Sequence, residues 1–158
     1  DFAMSAKTAD YHKRLTAFMT EYVFPAEASY HAYRDEKGAG DHTVPPVVEE
    51  LKGKAREQGL WNLFLPSESG LTNLEYAPLA EISGWSMEIA PEALNCAAPD
   101  TGNMEILHLF ATEAQRKQWL QPLLAGEIRS AFAMTDCDGP HQSRRRVPRP
   151  AGDDPGAR

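Results

Sequence analysis

Tyr11, Leu15, Phe18, Met19, Tyr22 and Val23 recur at the spacing i, i+4, i+7, i+8, i+11 and i+12. One apolar stripe at the 3.6-residue period commits the start of the chain to a long amphipathic helix, from about Ala6 to Tyr33, whose apolar face must be buried on something. Pro25 removes a backbone donor within it and should kink or divide it there. The polar, glycine-containing stretch Asp35–His42 then reads as a loop.

The same logic repeats downstream. Pro45 and Pro46 suit a first helical turn, where a missing N–H costs nothing. Val47, Val48, Leu51 and Ala55 supply the buried stripe, and Gly59 is placed for a left-handed cap. Leu60–Pro66 is short and apolar, which suits a buried connector. Thr72-x-x-Glu75 is a capping box opening a third helix near Asn73, expected to carry Leu74, Ala77 and Ile82 inward, with a bend at Pro78. Pro91–Asn95 reads as a short helical turn. Asp100 or Thr101 should cap a helix through about Phe110, with Met104, Leu107 and His108 at helical spacing. A second capping box, Thr112-x-x-Gln115, opens a helix through Leu124, tightened by Pro122 and closed by Gly126.

Ile128–Thr135 changes character: small and apolar residues in a run too short for another helix suit a buried strand. Several helices followed by a first strand imply an all-α domain joined to a β domain that has only begun. Residues 137–158 differ again. They hold five arginines, four prolines, three glycines and no aromatic residue, with only four of twenty-two apolar. Such a tail cannot bury enough surface to offset chain entropy, so a disordered tail is expected. Arg144-Arg145-Arg146 next to Asp153-Asp154 is a weak basic cluster, read as solvated.

Charge and composition narrow the function. The net charge of −7 disfavours a nucleic-acid partner, which needs a basic face. Cys96 and Cys137 are too few for a disulfide framework and have no zinc spacing, so they read as reduced thiols of a cytoplasmic protein. No apolar run is long enough to span a bilayer, and residues 1–10 lack the pattern of a signal peptide. His12, His31, His42, His108 and His141 show no metal-ligand spacing, and no metal site is expected.

Three stretches together resemble one family. Trp119-Leu120-Gln121-Pro122-Leu123-Leu124-Ala125-Gly126-Glu127 followed by Ile128-Arg129-Ser130-Ala131-Phe132-Ala133-Met134-Thr135 resembles the helix-to-strand signature of the acyl-CoA dehydrogenases. Gly59-Leu60-Trp61-Asn62-Leu63-Phe64-Leu65-Pro66 is similar to that family's connector. Ala97–Glu105 resembles a subgroup with long-chain and hydroxyacyl-type members. Their order and spacing are more specific than any one of them.

The resemblance implies a mainly α fold: a helical-bundle domain at 1–127, the first strand of a middle β domain at 128–136, and a tail outside the family pattern at 137–158. It implies an oxidoreductase with FAD as cofactor and acyl-CoA as substrate. A glutamate removes the α proton while hydride leaves the β carbon for the flavin, which supplies the redox chemistry. That glutamate belongs to a C-terminal domain outside this chain, so no catalytic residue is assigned here. Phe132, Ala133, Met134, Thr135 and Asp136 match the strand that contacts the flavin. Asp136 stands where the family has glutamate, and Cys137 departs from its proline. Asn95, Asp100 and Asn103 fall in the region that lines the acyl pocket, with helix capping the expected role of Asp100. A homo-oligomer and an electron-transfer partner are implied for the intact enzyme.

Two further expectations follow from the break after Asp136. One hypothesis for the tail is a frameshift, because the codons of Pro140-His141-Gln142, taken one base earlier, can spell the Ala-Ser-Ser of the related subgroup, although Gly139 does not convert to the expected residue. A chain ending there should expose strand edges and apolar helix faces and so be association-prone and inactive alone. The alternative is a non-catalytic helical binding or oligomerisation module.

Overall fold

The structure, a computed structural model, describes residues 3–133. Met134, Thr135 and Asp136 of the expected strand, Cys137, His141 and the tail lie outside the described residues.

The first helix runs beyond Tyr33 and is divided ahead of Pro25 rather than at it. It comprises α1 (Ala6–Phe18), a wider π-helical segment (Met19–Val23) and α2 (Phe24–Lys37). Proline lacks an N–H, and its ring presses on the carbonyl four residues back. The chain absorbs this by widening one turn, with the Phe24 N–H donating to the Met19 carbonyl. The same solution recurs near the other end. Thr112 caps α8 (Glu113–Gln115), a π segment follows (Arg116–Leu120), and Pro122 sits in the first turn of α9 (Gln121–Leu124). There the Gln121 N–H donates to the Arg116 carbonyl. Pro122 therefore follows a widened turn, where sequence reasoning expected a tightened one.

Helix α3 (Pro46–Glu57) starts at the prolines as expected. Gly59, at φ 64°, turns the chain, and Leu60 and Gly59 donate to the Ala55 and Arg56 carbonyls in a Schellman pair. The connector Leu60–Leu65 then runs through the interior and meets the short α4 (Pro66–Ser69).

Helix α5 (Asn73–Ser83) opens on the expected reciprocal capping box between Thr72 and Glu75. It runs through Pro78 without interruption. Its buried side is Leu79, Ile82 and Ser83, with Tyr76 packed against the core. Leu74 and Ala77, expected inside, are outside, and Leu74 is 61% exposed. This helix is apolar on most of its circumference, so periodicity alone cannot choose its inner face.

A short 3-10 turn (Gly84–Ser86), α6 (Ala90–Ala93) and α7 (Asp100–Phe110) complete the described helices. Helix α1 packs on α5, α3 packs on α2 and α6, and α7 packs on the second π segment and α9. Leu15, Phe18, Met19, Val23, Leu60, Leu79, Ile82 and Ile89 form the larger core. Phe64, Leu65, Met104, Leu120 and Leu123 form a smaller one, with Tyr76 and Cys96 packed against both. Residues 128–133, read as the start of a strand, are not in a strand among the described residues. Among the described residues there is no second strand to pair with it, and an extended segment without a partner forms no ladder.

Candidate functional site

The segment leaving α9 carries the described part of the expected flavin contact, so its position matters most. It is fixed first at its origin. The Trp61 indole N–H donates to the Leu124 carbonyl at 2.7 Å, and the Asn62 amide donates to the same oxygen at 2.9 Å. The Asn95 amide donates to Leu123 at 3.0 Å and to the Asn62 side-chain oxygen at 2.7 Å. Arg56 lies over the Trp61 ring, 3.9 Å from its centre, and donates to Ala125 at 2.6 Å. These side chains satisfy the carbonyls orphaned at a helix C-terminus. Gly126 turns the chain beneath them at φ 70°.

The segment is fixed again three residues on. Asp100 is buried at the first position of α7, and both of its oxygens are used. One accepts the Ser130 backbone N–H at 2.7 Å and the Ser130 hydroxyl; the other accepts the Arg129 Nε. The Asn103 amide donates to the Ser130 oxygen at 2.7 Å, so the hydroxyl accepts from one residue of α7 and donates to another. The fork of Arg129 spans both oxygens of Glu92 at 2.6 and 2.9 Å. One guanidinium thus serves two carboxylates. Partial burial of Arg129 opposes its charge, but the bonds to Glu92 and Asp100 outweigh this and raise its pKa. The N-terminal end of α7 also favours the extra negative charge.

Phe132 is seated next to this cluster. A methyl group built on Gly102 would meet the Phe132 ring at 3.3 Å, so the glycine leaves the ring its space. Phe132 is 48% exposed and Ala133 is exposed. Among the described residues neither makes a hydrogen bond.

On the other side of α7, Thr101 and Glu105 face a groove of about 380 Å³ shared with Phe64, Tyr76, Ala80, Pro91 and Cys96. Burial pushes the Cys96 thiol up to about 11, only partly offset by hydrogen bonding with Tyr76 and Ser83. Burial first, then the neighbouring Cys96, raises the Tyr76 phenol as well. Both groups are therefore neutral near pH 7, and the groove wall they form is uncharged. Among the described residues, no group of three or more His, Cys, Asp or Glu side chains is arranged to hold a metal ion. Among the same residues, no helix is long and apolar enough to cross a membrane.

The three expected pocket residues are thus divided. Asp100 and Asn103 are brought together with Arg129, Ser130 and Phe132, whereas Asn95 joins the clamp on α9. None of the three lines the groove. Asp100 does not cap its helix, which has no side-chain cap; its carboxylate is spent on Arg129 and Ser130. Sequence reasoning missed Glu92, Gly102, Arg129 and Ser130. The available signal was Arg129, a lone charge in a small, apolar run that needs a carboxylate nearby.

Residues 7–127 match the family described as Acyl-CoA dehydrogenase, N-terminal domain. The chain is 74% identical over 136 residues to "Probable acyl-CoA dehydrogenase FadE2" of Mycobacterium tuberculosis, covering 86% of this chain and 33% of the relative. It is 48% identical to Acyl-CoA dehydrogenase family member 11 of Mus musculus, covering 85% of this chain and 18% of that protein. A solved structure from Mycobacterium abscessus, assigned to the acyl-CoA dehydrogenases, superposes with a TM-score of 0.78 at 47% identity, covering 86% of this chain and 36% of the other. The chain therefore spans about a third or less of the length of these relatives, and it belongs to the acyl-CoA dehydrogenase family, of which it carries the N-terminal helical domain.

Proposed function

We propose that this chain forms the helical part of an FAD-dependent acyl-CoA dehydrogenase, an oxidoreductase that introduces a double bond between the α and β carbons of an acyl-CoA thioester. The observation that carries the reading is the seating of Ser130 and Phe132 on Asp100, Gly102 and Asn103. It sets residues 129–132 against the helix that also walls the groove between α5 and α7.

The residues present fit one edge of a flavin. Phe132 and Ala133 are exposed, uncharged and without a hydrogen bond among the described residues. With Met134, Thr135 and Asp136, they would hold the isoalloxazine. The flavin, when bound, accepts the hydride that leaves the substrate β carbon. The chain's own residues do the positioning: the clamp on α9 and the seat on α7 fix the segment at both ends. The apolar side of the groove, Phe64, Ala80 and Pro91 with the neutral Cys96 and Tyr76, suits an acyl chain, while Asn73, Thr101 and Glu105 form its polar side. Asn95, Asp100 and Asn103 shape the substrate region through protein partners rather than from the groove wall. Acyl-CoA, a homo-oligomeric assembly and an electron acceptor belong to this reading of the whole enzyme.

Exposed Trp85, Met87, Ile106, Leu109 and Phe110 favour a second reading, a helical module that docks onto other polypeptides without redox chemistry. A graft separates the two. Residues 3–133 replace the corresponding segment of the Mycobacterium tuberculosis relative, and the purified chimera is examined for flavin absorbance and dye-linked acyl-CoA oxidation. A yellow, active chimera is the expected result. A folded, colourless one leaves only the docking module.

A further inference from the structure

We propose that Asp100 is a positioning residue, whose carboxylate sets the register of the flavin segment against α7 so that one helix places both ligands. This rests on the flavin reading above.

Three observations carry it. First, the carboxylate is buried, yet every hydrogen bond it makes among the described residues is to Arg129 or Ser130, neither of which belongs to a helix. A buried carboxylate is costly and persists where charged and hydrogen-bonding partners surround it. A cap for α7 alone would have spent it on the helix's own N–H groups, and it makes no such bond. Second, the contacts are polar and directional, and they are followed two residues on by an apolar one. Ser130 is gripped from Asp100 and Asn103, and the Phe132 ring rests over Gly102. A polar grip fixes the position along the segment, and the ring contact fixes which side of the backbone faces α7. Third, Arg129 extends the grip to α6 through Glu92, so the segment is tied to two elements of the bundle.

Helix α7 meets the acyl groove through Thr101 and Glu105 and the segment through Asp100, Gly102 and Asn103. Any shift of α7 therefore moves both walls together. Positioning within an ångström governs the rate of group transfer, so a rigid common support matters.

The full 158-residue chain, labelled for NMR, tests this with FAD as the probe. In the wild type, the Ser130 amide should exchange slowly, and the Phe132 ring should show a nuclear Overhauser effect to the Gly102 α protons. Asp100→Asn should speed Ser130 exchange at least tenfold while amides of α1 and α5 are unchanged. Gly102→Ala serves if Asp100→Asn fails to fold. It adds a methyl group at a helical position where alanine is favoured, so it should fold, push the Phe132 ring aside by a few tenths of an ångström and keep the Ser130 protection. FAD should shift the Phe132 and Ala133 resonances in the wild type and shift them at least tenfold less readily in Asp100→Asn. Unchanged Ser130 exchange in Asp100→Asn, or Phe132 ring resonances that do not move in Gly102→Ala, overturns the seat. A wild-type chain whose seat passes these tests but whose resonances ignore FAD overturns the flavin reading instead.

Discussion

Asn95 donates its side-chain amide to the side-chain oxygen of Asn62 across 2.7 Å, and both residues hold left-handed backbone, at φ 55° and 58°. Asparagine tolerates that conformation better than most residues, and here the amides also carry the interaction. Two turns distant in sequence are thereby locked onto the end of α9, from which the segment at 127–133 departs.

Asn95→Asp tests this lock. The Asn95 nitrogen faces three oxygens, those of Asn62, Leu123 and Leu124. A carboxylate there has no proton to give, so the variant should lose about 3 kcal/mol at pH 7. The new carboxyl is destabilised as an anion, so its folded pKa rises above the unfolded value of about 3.9. The deficit is then largest at neutral pH and shrinks as the pH falls toward that value. Urea denaturation at pH 7 and pH 4 measures both. A deficit that does not shrink on acidification is the opposing result.

Gly126 is the second fixed point of the same structure. At φ 70° a side chain is strained, and a methyl group would lie 2.8 Å from the Trp61 ring and 2.9 Å from the Arg56 guanidinium. The left-handed backbone costs about 1–2 kcal/mol and the crowding about as much again, so Gly126→Ala should cost about 2–4 kcal/mol. Chemical denaturation gives the number. Displacement of the indole should also alter Trp61 fluorescence, and wild-type stability with an unchanged spectrum would show that the clamp yields freely.

Helix α5 allows the inner face to be tested by paired truncations. Leu79 is fully buried, so Leu79→Ala should cost about 3 kcal/mol through lost burial and the cavity it leaves. Leu74 is 61% exposed, so Leu74→Ala should lie within about 0.5 kcal/mol of wild type. Equal effects in the two unfolding curves would contradict the placement.

These cases mark what the sequence makes legible. The capping boxes at Thr72 and Thr112 and the turns at Gly59 and Gly126 depend on residues within a few positions of one another, so local chemistry specifies them. The inner face of α5 does not, because a helix apolar on most sides is oriented by its neighbours. The widened turns before Pro25 and Pro122 were half legible: the prolines signal a conflict, while only the packed structure decides how the backbone absorbs it. At the candidate site, the motif at Ala97–Glu105 points to Asp100 and Asn103, and the motif at Ile128–Thr135 points to Phe132 and Ala133. Their meeting through Ser130 and Gly102 spans nearly thirty residues and follows from tertiary contact alone.

Cys96 gives the remaining prediction, because its thiol reports on the wall of the groove between α5 and α7. Burial holds its pKa at about 11, so at pH 8 only about one molecule in a thousand carries the reactive thiolate, against about a quarter for an exposed thiol. In a Cys137→Ser background, a disulfide reagent at pH 8 should therefore react with folded chain about two hundredfold more slowly than with chain unfolded in urea. The linkage has a definite sign. An unfolded thiol releases its proton above about pH 8.5 whereas the folded one retains it to about 11, so stability falls as pH rises through that window. Cys96→Ser in the same background should flatten that part of the pH–stability curve. Rapid labelling of folded protein would mean that the groove opens to solvent far more often than its packing between α5 and α7 implies.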